Sequence, residues 1–325
     1  MRSAIHTTFG EPAEVLVLGE VLVPKPGQGQ VLVRTILSPI HNHDLDIVRG
    51  NYGYKPELPG IGGSEAVGIV EVLGEGVTCI DIGQRIAVAA VHGTWAEYFL
   101  APASGLVPIP DAISDESAAQ LLAMPFSAIT LLEHLEVESG DWVIQNAANG
   151  AVGKTLAMLA KARGVNIINL VRRDAGVDEL LALGIPNVVS TATNGWQDRV
   201  YEIIGEAQIR AAVDSIAGEA SDELLTLLGE NGVLVSFGRM SGEPMHLSTG
   251  SLAFKHAVVK GFWAAKVNDT MSSEVKGRLF SELLHLVVSG ELKLPVEAIF
   301  RLDQIRQAIH VSLTPGKVGK VLIKL

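Results

Sequence analysis

Short apolar runs separated by glycine and proline fill about the first hundred residues of the chain. Each run is only a few residues long, and turn-forming segments such as PKPGQGQ lie between them. Runs of this length and spacing predict the strands of a mostly antiparallel, barrel-like β domain. The predicted strands span residues 13–18, 30–37, 66–73, 84–91 and 96–99.

From Ser114 onward the pattern changes to an alternation of helices and strands. Apolar positions at helical spacing alternate with short apolar runs, which indicates a parallel, doubly wound sheet and an α/β fold. The predicted helices begin at 114 and span 127–134, 175–183, 197–204, 219–227 and 273–289. The predicted strands span 142–144, 165–171, 187–189, 209–214, 232–237 and 257–262, and the tail from 294 reads as strand, helix, turn and strand.

Residues 141–174 form a predicted βαβ unit whose turn is rich in glycine, alanine and asparagine. Such a turn lets the backbone approach a pyrophosphate, while the following helix directs its free N–H groups at the same anion. The usual dinucleotide fingerprint has a third glycine where this chain has Ala148. The predicted cofactor contacts in and after the turn are Asn146, Asn149, Gly150, Ala151 and Val152.

Two arginines, Arg172 and Arg173, follow the second strand of this unit at the place where a residue meets the adenine ribose. An acid there would bind a ribose 2′-hydroxyl, whereas guanidinium groups bind a 2′-phosphate through charge-assisted hydrogen bonds. The pair therefore predicts NADPH as the cofactor rather than NADH. The alternative is two solvated arginines at a strand end, with Asp174 beside them as a partial neutraliser.

Composition and charge narrow the class of protein. A chain of 325 residues suggests about two domains. It has no apolar run long enough for a membrane span and no apolar leader at its start, which predicts a protein that is cytoplasmic or already processed. Its one cysteine, Cys79, excludes an internal disulfide, and its net charge of -11 argues against a nucleic-acid partner.

The whole chain resembles the medium-chain dehydrogenase/reductase superfamily. Within it, the chain is most similar to the zinc-free reductases of 2-enoyl thioesters, with quinone oxidoreductases next. The most specific stretches are Gly50-Asn51-Tyr52-Gly53 and Val143-Ile144-Gln145-Asn146-Ala147. Further matching stretches are Ser38-Pro39-Ile40 with Asp44, Pro56-Glu57-Leu58-Pro59, Gly62-Gly63-Ser64-Glu65, Ile168-Asn169-Leu170-Val171-Arg172 and Lys260-Gly261-Phe262-Trp263.

The resemblance implies a two-domain architecture. A GroES-like, β-rich catalytic domain would comprise residues 1–116 and 292–325, and a Rossmann domain that binds NADPH would comprise residues 117–291. It also implies a cleft between the domains and a homodimer formed through edge strands of the cofactor domains, for which residues 257–262 are the candidate.

Many relatives bind catalytic zinc, so a metal has to be considered first. The resemblance places their ligands at positions that match His41, Ser64 and Glu65, and a zinc site needs three protein ligands plus an open position. Ser64 removes one ligand, so no functional metal is expected. The His41–Asp44 segment is then a polar edge of the cleft, with Asn42 in the substrate pocket and Asp44 as a helix N-cap or a hydrogen-bond partner.

Without zinc, the reaction has to be one that needs no Lewis acid to activate an alcohol. Hydride addition to a C=C bond conjugated with a carbonyl meets that condition. The protein must orient the cofactor and stabilise the negative charge that develops on the carbonyl oxygen. Tyr52 lies between glycines in a loop and matches the catalytic tyrosine of the enoyl-thioester reductases, so it is the predicted catalytic residue. The alternatives are that Tyr52 is a surface or packing residue and that Tyr54 is a nearby decoy.

The remaining candidates lie in the predicted cofactor domain and the tail. Trp263, with Phe262 before it, matches a pocket tryptophan of the same reductases, although a core tryptophan fits the pattern equally well. Gly238 and Met240 follow a strand and are expected near the nicotinamide ribose, or they form a simple turn.

Two further residues are expected to contact the cofactor. Ser127 lies in the helix that faces the nicotinamide in relatives. Lys320 resembles a tail lysine that reaches the cofactor phosphate, although a solvated lysine on an edge strand fits the sequence nearly as well.

The substrate stays open at the level of the sequence. A small molecule or a thioester is expected, and Met124, Phe126 and Ile129 differ from the residues that thioester reductases carry, so a quinone or an alkenal/one substrate is an alternative. An acyl carrier protein would need a basic rim, for which Arg49, Lys55, Arg239 and Lys260 are candidates. A non-catalytic NADPH sensor is the alternative from a different class.

Overall fold

The protein is described by a computed structural model that covers Met1–Leu325, and the chain forms two compact units. The first unit consists of Met1–Ala123 together with Leu294–Leu325, and the second unit is Met124–Lys293. None of the helices combines the length and the apolar character that crossing a membrane requires.

The amino-terminal part of the first unit consists mainly of strands. Its elements are β1 (Arg2–His6), α1 (Pro12–Val15), β2 (Val17–Glu20), β3 (Gln30–Pro39), α2 (Asn42–Arg49), β4 (Gly60–Ile61), β5 (Glu65–Leu73), β6 (Arg85–Ala89), β7 (Tyr98–Pro102), β8 (Val107–Pro108) and α3 (Asp115–Ala118).

The second unit alternates helices and strands after its first helix. Its elements are α4 (Ala123–Leu135), β9 (Trp142–Gln145), α5 (Ala151–Ala162), β10 (Asn166–Val171), α6 (Ala175–Ala182), β11 (Val188–Ser190), α7 (Trp196–Ile204), β12 (Ile209–Asp214), α8 (Glu219–Leu227), β13 (Leu228–Ser236), α9 (Thr249–Phe254), β14 (Val258–Gly261), α10 (Ala264–Thr270) and α11 (Ser273–Ser289). The tail returns to the first unit with β15 (Val296–Arg301), α12 (Ile305–Leu313) and β16 (Lys320–Lys324).

The main sheet of the first unit has the strand order β15-β16-β3-β5-β6-β8, with β7 also paired to β3. All its pairs are antiparallel except β15 with β16. A second sheet has the order β2-β1-β4. Alternate residues of the strands point inward, so that Val31, Val33, Ile86 and Phe99 lie in the core.

The sheet of the second unit has the order β11-β10-β9-β12-β13-β14, and every neighbouring pair is parallel. This is the order of two mononucleotide-binding halves, whose switch point lies between β9 and β12. Ligands of such sheets bind outside the carboxyl ends of the strands at that point. The predicted α/β class, with a doubly wound parallel sheet and a β-rich domain, is confirmed.

One local prediction is wrong, and one helix is missing from the predictions. Residues 13–18 do not form one strand, because Pro12 at the first helical position starts the short helix α1, and β2 begins only at Val17. Helix α2 was not predicted, because polar residues make up most of it and only Leu45 and Val48 give it a buried apolar face.

Candidate active site

Helix α2 positions the polar cluster of the first unit. His41 precedes its first residue, and the Asp44 carboxylate turns back to accept the His41 backbone N–H through Oδ2 at 3.0 Å. Asp44 is therefore the third residue of the helix and not its N-cap, and of the two roles expected from the sequence it has that of a hydrogen-bond partner. At the other end, Gly50 adopts the left-handed conformation at φ 76° and leads into the loop that carries Tyr52.

A chain of hydrogen bonds links Asp44, Ser64 and His43. The Ser64 hydroxyl donates to Asp44 Oδ1 at 2.5 Å, and His43 Nε2 lies 2.8 Å from the same hydroxyl oxygen. Because the hydroxyl has one proton and gives it to Asp44, His43 Nε2 must be the donor in its own bond. The chain therefore fixes the imidazole with Nε2–H toward Ser64.

A buried pair lies beside this chain. His41 Nε2 and Glu65 Oε2 are 2.7 Å apart, and neither side chain is exposed. Glu65 Oε1 accepts the backbone N–H groups of Leu122 and Ala123 at 2.7 Å and 2.8 Å. Burial raises the pKa of Glu65 to about 7 against these two hydrogen bonds, and burial holds the pKa of His41 well below its ordinary value.

Lys320 is the first residue of β16, and its side chain bonds to the residue that follows β3. Its Nζ donates to the Ile40 carbonyl oxygen at 3.3 Å, and burial lowers its pKa to about 8 although Asp44 and Glu65 act in the other direction. The ammonium group thus has a partner inside the first unit. Its predicted contact with a cofactor phosphate stays a prediction.

The positions at which relatives carry zinc ligands do not fit a zinc ion in this chain. His41 is bonded to Glu65, and Ser64 is bonded to Asp44 and His43. No three His, Cys, Asp or Glu side chains are arranged to hold a metal ion. No chemical step below depends on a metal.

The loop after α2 carries the predicted catalytic tyrosine. Tyr52 is 39% exposed, and its ring lies 5.8 Å from that of His43 at 34°. The decoy Tyr54 instead stacks on His92, with the ring centres 3.8 Å apart. Tyr54 and His92 line a cavity of about 290 Å³ whose wall also includes Asp44 and glycines 60, 62 and 63.

In the second unit, Asn146 ties together the two loops at the switch point of the sheet. Its amide nitrogen donates to Asp214 Oδ1 at 2.7 Å, and its amide oxygen accepts the Ser215 N–H at 2.7 Å. Asp214 also accepts the Ile216 and Ala217 N–H groups at 2.9 Å and 3.0 Å. The side chain of Asn146 therefore holds the two loops together, and its backbone N–H also donates to the Val213 carbonyl oxygen at 3.2 Å.

The turn is closely packed against the start of α5. Gly150 is the N-cap, and Ala151 and Val152 are the first helical residues, so their N–H groups lack intrahelical partners. A Cβ at Gly153 would come within 2.7 Å of the Ala148 backbone, which leaves room only for glycine. A helix start of this kind, beside a close turn, fits the pyrophosphate of a dinucleotide.

The two predicted phosphate-binding arginines differ in their surroundings. Arg172 is exposed after β10 and takes part in no ion pair. Arg173 is bonded to Glu179 at 3.3 Å. Arg172 is therefore the freer of the two to meet an incoming phosphate.

The other predicted residues of the second unit lie at varied depth. Ser127 is buried in α4. Gly238 and Met240 donate backbone bonds to Asp214 and Ser215 at 3.1 Å each, so they lie at the switch-point loops. Phe262 is 7% exposed between His134 and Phe237, whereas Trp263 is 65% exposed. In the first unit, the predicted pocket residue Asn42 is exposed at the start of α2.

Sequence reasoning missed the roles of His43 and Asp214. His43 lies in the His41–Asp44 segment that the sequence predicts as a polar edge, and the hydrogen bond that it donates to Ser64 joins residues 21 positions apart. Asp214 had a usable signal, because it ends an apolar strand and polar residues at the carboxyl ends of parallel strands meet at the ligand edge.

Comparison with known proteins agrees with this architecture. Residues 27–111 match the alcohol dehydrogenase GroES-like domain, and residues 151–279 match the family described as zinc-binding dehydrogenase. The chain is 30% identical over 331 residues to the human protein named enoyl-[acyl-carrier-protein] reductase, mitochondrial, with 100% of this chain and 89% of that protein covered. The chain belongs to the medium-chain dehydrogenase/reductase superfamily.

Two further members of the superfamily illustrate the range of similarity. The Caenorhabditis elegans protein of the same name as the human one is 31% identical over 322 residues, which cover 96% of this chain and 92% of that protein. The structure of Escherichia coli quinone oxidoreductase complexed with NADPH has a TM-score of 0.89 and 26% identity, and both chains are covered completely. As a member of this superfamily the protein is an oxidoreductase of a type that binds NAD(P)H.

Proposed function

We propose that this protein is an NADPH-dependent reductase that transfers a hydride to an activated C=C bond, with a 2-enoyl thioester as the substrate. The observation that carries the proposal is Tyr52, an exposed hydroxyl donor beside an oriented imidazole. The full-length similarity to proteins named enoyl-[acyl-carrier-protein] reductase supports the thioester.

NADPH would supply the hydride to the β carbon of the substrate. Negative charge then develops on the thioester carbonyl oxygen, and a proton has to reach the α carbon. In this proposal the Tyr52 hydroxyl donates a hydrogen bond to that oxygen and then gives its proton to the α carbon, directly or through a water molecule. No metal is needed, because the tyrosine provides the stabilisation of the oxygen.

The cofactor assignment depends on the second unit. The Asn146–Gly153 turn and the start of α5 would hold the pyrophosphate, and Arg172 with Arg173 would hold the 2′-phosphate. In this reading residues 117–291 bind NADPH, and residues 1–116 with 292–325 supply Tyr52.

Assembly and the acyl carrier belong to the same proposal. The exposed edge strand β14 would pair with that of a second copy. An acyl carrier protein is a candidate donor of the thioester.

A quinone oxidoreductase is the second candidate. It is supported by the structural similarity to Escherichia coli quinone oxidoreductase, with a TM-score of 0.89 over the complete length of both chains. The two candidates share NADPH and differ in the acceptor.

The test is an NADPH-oxidation assay with crotonyl-CoA, longer enoyl-CoA esters, 1,4-naphthoquinone and short enones. We expect the enoyl thioesters to give the highest kcat/KM and NADPH to be preferred to NADH. The Tyr52→Phe variant should lose about a hundredfold in kcat, since general acid catalysis contributes on that order.

Tyr54→Phe is the matched control, because Tyr54 lies in the same loop but stacks on His92, and it should turn over like the wild type. Preference for naphthoquinone would favour the second candidate. Absence of NADPH oxidation with every acceptor would favour a non-catalytic NADPH sensor.

A further inference from the structure

The His43 imidazole is built into the first unit in a way that leaves one nitrogen for chemistry. Its Nε2–H is committed to the Ser64 hydroxyl, as shown above, and Ser64 is committed to Asp44. The side chain of His43 is 24% exposed, whereas that of Asp44 is 1% exposed. The second nitrogen, Nδ1, is therefore the one that can exchange protons.

A buried carboxylate lies beside the His43 ring. Asp44 Oδ1 lies 3.6 Å from His43 Nε2, and both Asp44 oxygens accept hydrogen bonds, as an ionised carboxylate does. An imidazole that is oriented by a serine hydroxyl and a buried carboxylate can gain and lose a proton at its other nitrogen without moving.

The ring lies next to the residue that would need a proton. After Tyr52 has given its hydroxyl proton to the substrate it is a phenolate, and it must be reprotonated before the next turnover. The His43 and Tyr52 ring centres are 5.8 Å apart and the rings are tilted by 34°, so the imidazole is a direct neighbour of the group that has to regain a proton.

The neighbouring histidine does not offer the same route. The ring of His41 stacks on His43 at 5.0 Å, but its side chain has no exposed surface and its Nε2 is bonded to Glu65. A group that cannot reach solvent cannot be reloaded between turnovers.

We propose that His43 is a proton-relay residue behind Tyr52, held in one tautomer by Ser64 and Asp44. The inference rests on the proposed function. The proton on Nδ1 of the imidazolium moves to the Tyr52 phenolate, which restores the hydroxyl and leaves neutral His43 with its Nε2–H still bonded to Ser64. Solvent then returns a proton to Nδ1, so that the net proton taken from solvent equals the one delivered to the product.

The first test combines two substitutions of His43 with chemical rescue. His43→Ala should lower kcat about tenfold or more while the KM for NADPH stays unchanged, and imidazole added to the buffer should restore kcat in proportion to its concentration. His43→Gln keeps an N–H donor for Ser64 but cannot carry a proton, so it should be as slow as His43→Ala. A role in structure alone predicts near-normal turnover for His43→Gln.

Coupling to the tyrosine gives the second measurement. If His43 acts through Tyr52, the double variant His43→Ala/Tyr52→Phe should be no slower than Tyr52→Phe alone. His285→Ala removes an exposed histidine on α11 and should show neither slowing nor rescue by imidazole.

The outcomes distinguish a failure of the proposed His43 relay from a failure of the proposed reductase function. An active wild type whose His43→Ala variant keeps normal turnover, or whose losses add fully in the Tyr52→Phe background, overturns the relay and leaves the reductase proposal standing. A wild type that oxidises NADPH with none of the acceptors overturns both.

Discussion

At the scale of single residues, burial changes the ionisation of the groups around α2. Glu65 and His41 form a pair without exposed surface, and Lys320 is bonded to the Ile40 carbonyl oxygen nearby. Burial raises the pKa of Glu65 to about 7 and lowers the pKa of Lys320 to about 8. Their contributions to the free energy of unfolding therefore change with pH near neutrality.

Glu65→Gln should change how stability depends on pH. In the folded state Glu65 keeps its proton up to a pKa of about 7, against an ordinary 4.5, so the folded state binds more protons between these values. The free energy of unfolding of the wild type should therefore fall relative to the variant as pH rises through that window. The difference should be of the order of 3 kcal/mol, at about 1.4 kcal/mol per pKa unit, in urea unfolding at a series of pH values.

His41 acts in the opposite direction over part of the same window, because its pKa is lowered and the unfolded state binds the extra proton. For this reason the difference between wild type and variant, and not the wild-type curve alone, is the quantity to compare. Glu230→Gln removes an exposed carboxylate and serves as the control. Parallel wild-type and Glu65→Gln curves from about pH 4.5 to 7 would contradict the assignment.

Arg172→Ala should weaken NADPH binding more than Arg173→Ala does. Arg172 has no carboxylate partner, whereas Arg173 is already bonded to Glu179. A lost charge-assisted bond to a phosphate is worth about 1.5–3 kcal/mol, so we expect a rise of roughly tenfold or more in the Kd for NADPH and little change for NADH. Titration of cofactor fluorescence measures both, and equal losses for NADH and NADPH would show that Arg172 does not contact a 2′-phosphate.

Single residues could be predicted from the sequence in part, but their long-range hydrogen bonds could not. Tyr52, Arg172 and the turn glycines could be predicted because each has a defined place in the sequence relative to a predicted loop, strand or helix. The bonds of His43 to Ser64 and of Asn146 to Asp214 join residues 21 and 68 positions apart. Contacts of this kind follow from the tertiary fold and leave no local pattern.

At the scale of elements, the contact between α5 and the turn before it controls the shape of the cofactor edge. Gly153→Ala would place a methyl group 2.7 Å from the Ala148 backbone, which cannot move aside as a side chain can. We expect a loss of about 1–3 kcal/mol in stability from overpacking, together with weaker NADPH binding because the turn is displaced.

The matched control is Gly277→Ala in α11. A Cβ at Gly277 would meet nothing within 4 Å, so the same substitution should stabilise the protein by about 0.5–1 kcal/mol through helix propensity. Thermal unfolding and NADPH titration of both variants provide the measurement. Equal and small effects of the two substitutions would show that the turn and α5 are not closely packed.

Long periodic elements were predictable, and short ones were not. Residues 175–183, 209–214, 219–227 and 273–289 were predicted from apolar spacing, and α6, β12, α8 and α11 lie there. The four-residue helix α1 was not, because one turn contains too few apolar positions to show a period. The polar helix α2 escaped for a related reason, although it carries the candidate chemistry.

At the scale of the whole molecule, the edge strand β14 is the candidate contact with a second copy. It ends the sheet of the second unit, and Val258 is 51% exposed on it. An unpaired edge with apolar side chains favours pairing with another chain. Val258→Lys should therefore shift the protein from dimer to monomer in sedimentation velocity.

Ile299→Lys provides the control, since Ile299 is 44% exposed on β15, which ends the main sheet of the first unit. It should leave the sedimentation coefficient unchanged. A wild type that sediments as a monomer at all concentrations would contradict the proposed dimer.

The tail strand β16 has a consequence for the order of events during synthesis. It lies between β15 and β3 inside the main sheet of the first unit, yet it follows the whole second unit in the chain. The second unit is continuous in sequence from Met124 to Lys293, so on the ribosome all of its strands are available before those of the first unit are complete. The half of the enzyme proposed to bind the nucleotide can therefore fold as a unit first, and the half that carries Tyr52 is complete only after β15 and β16 have been made.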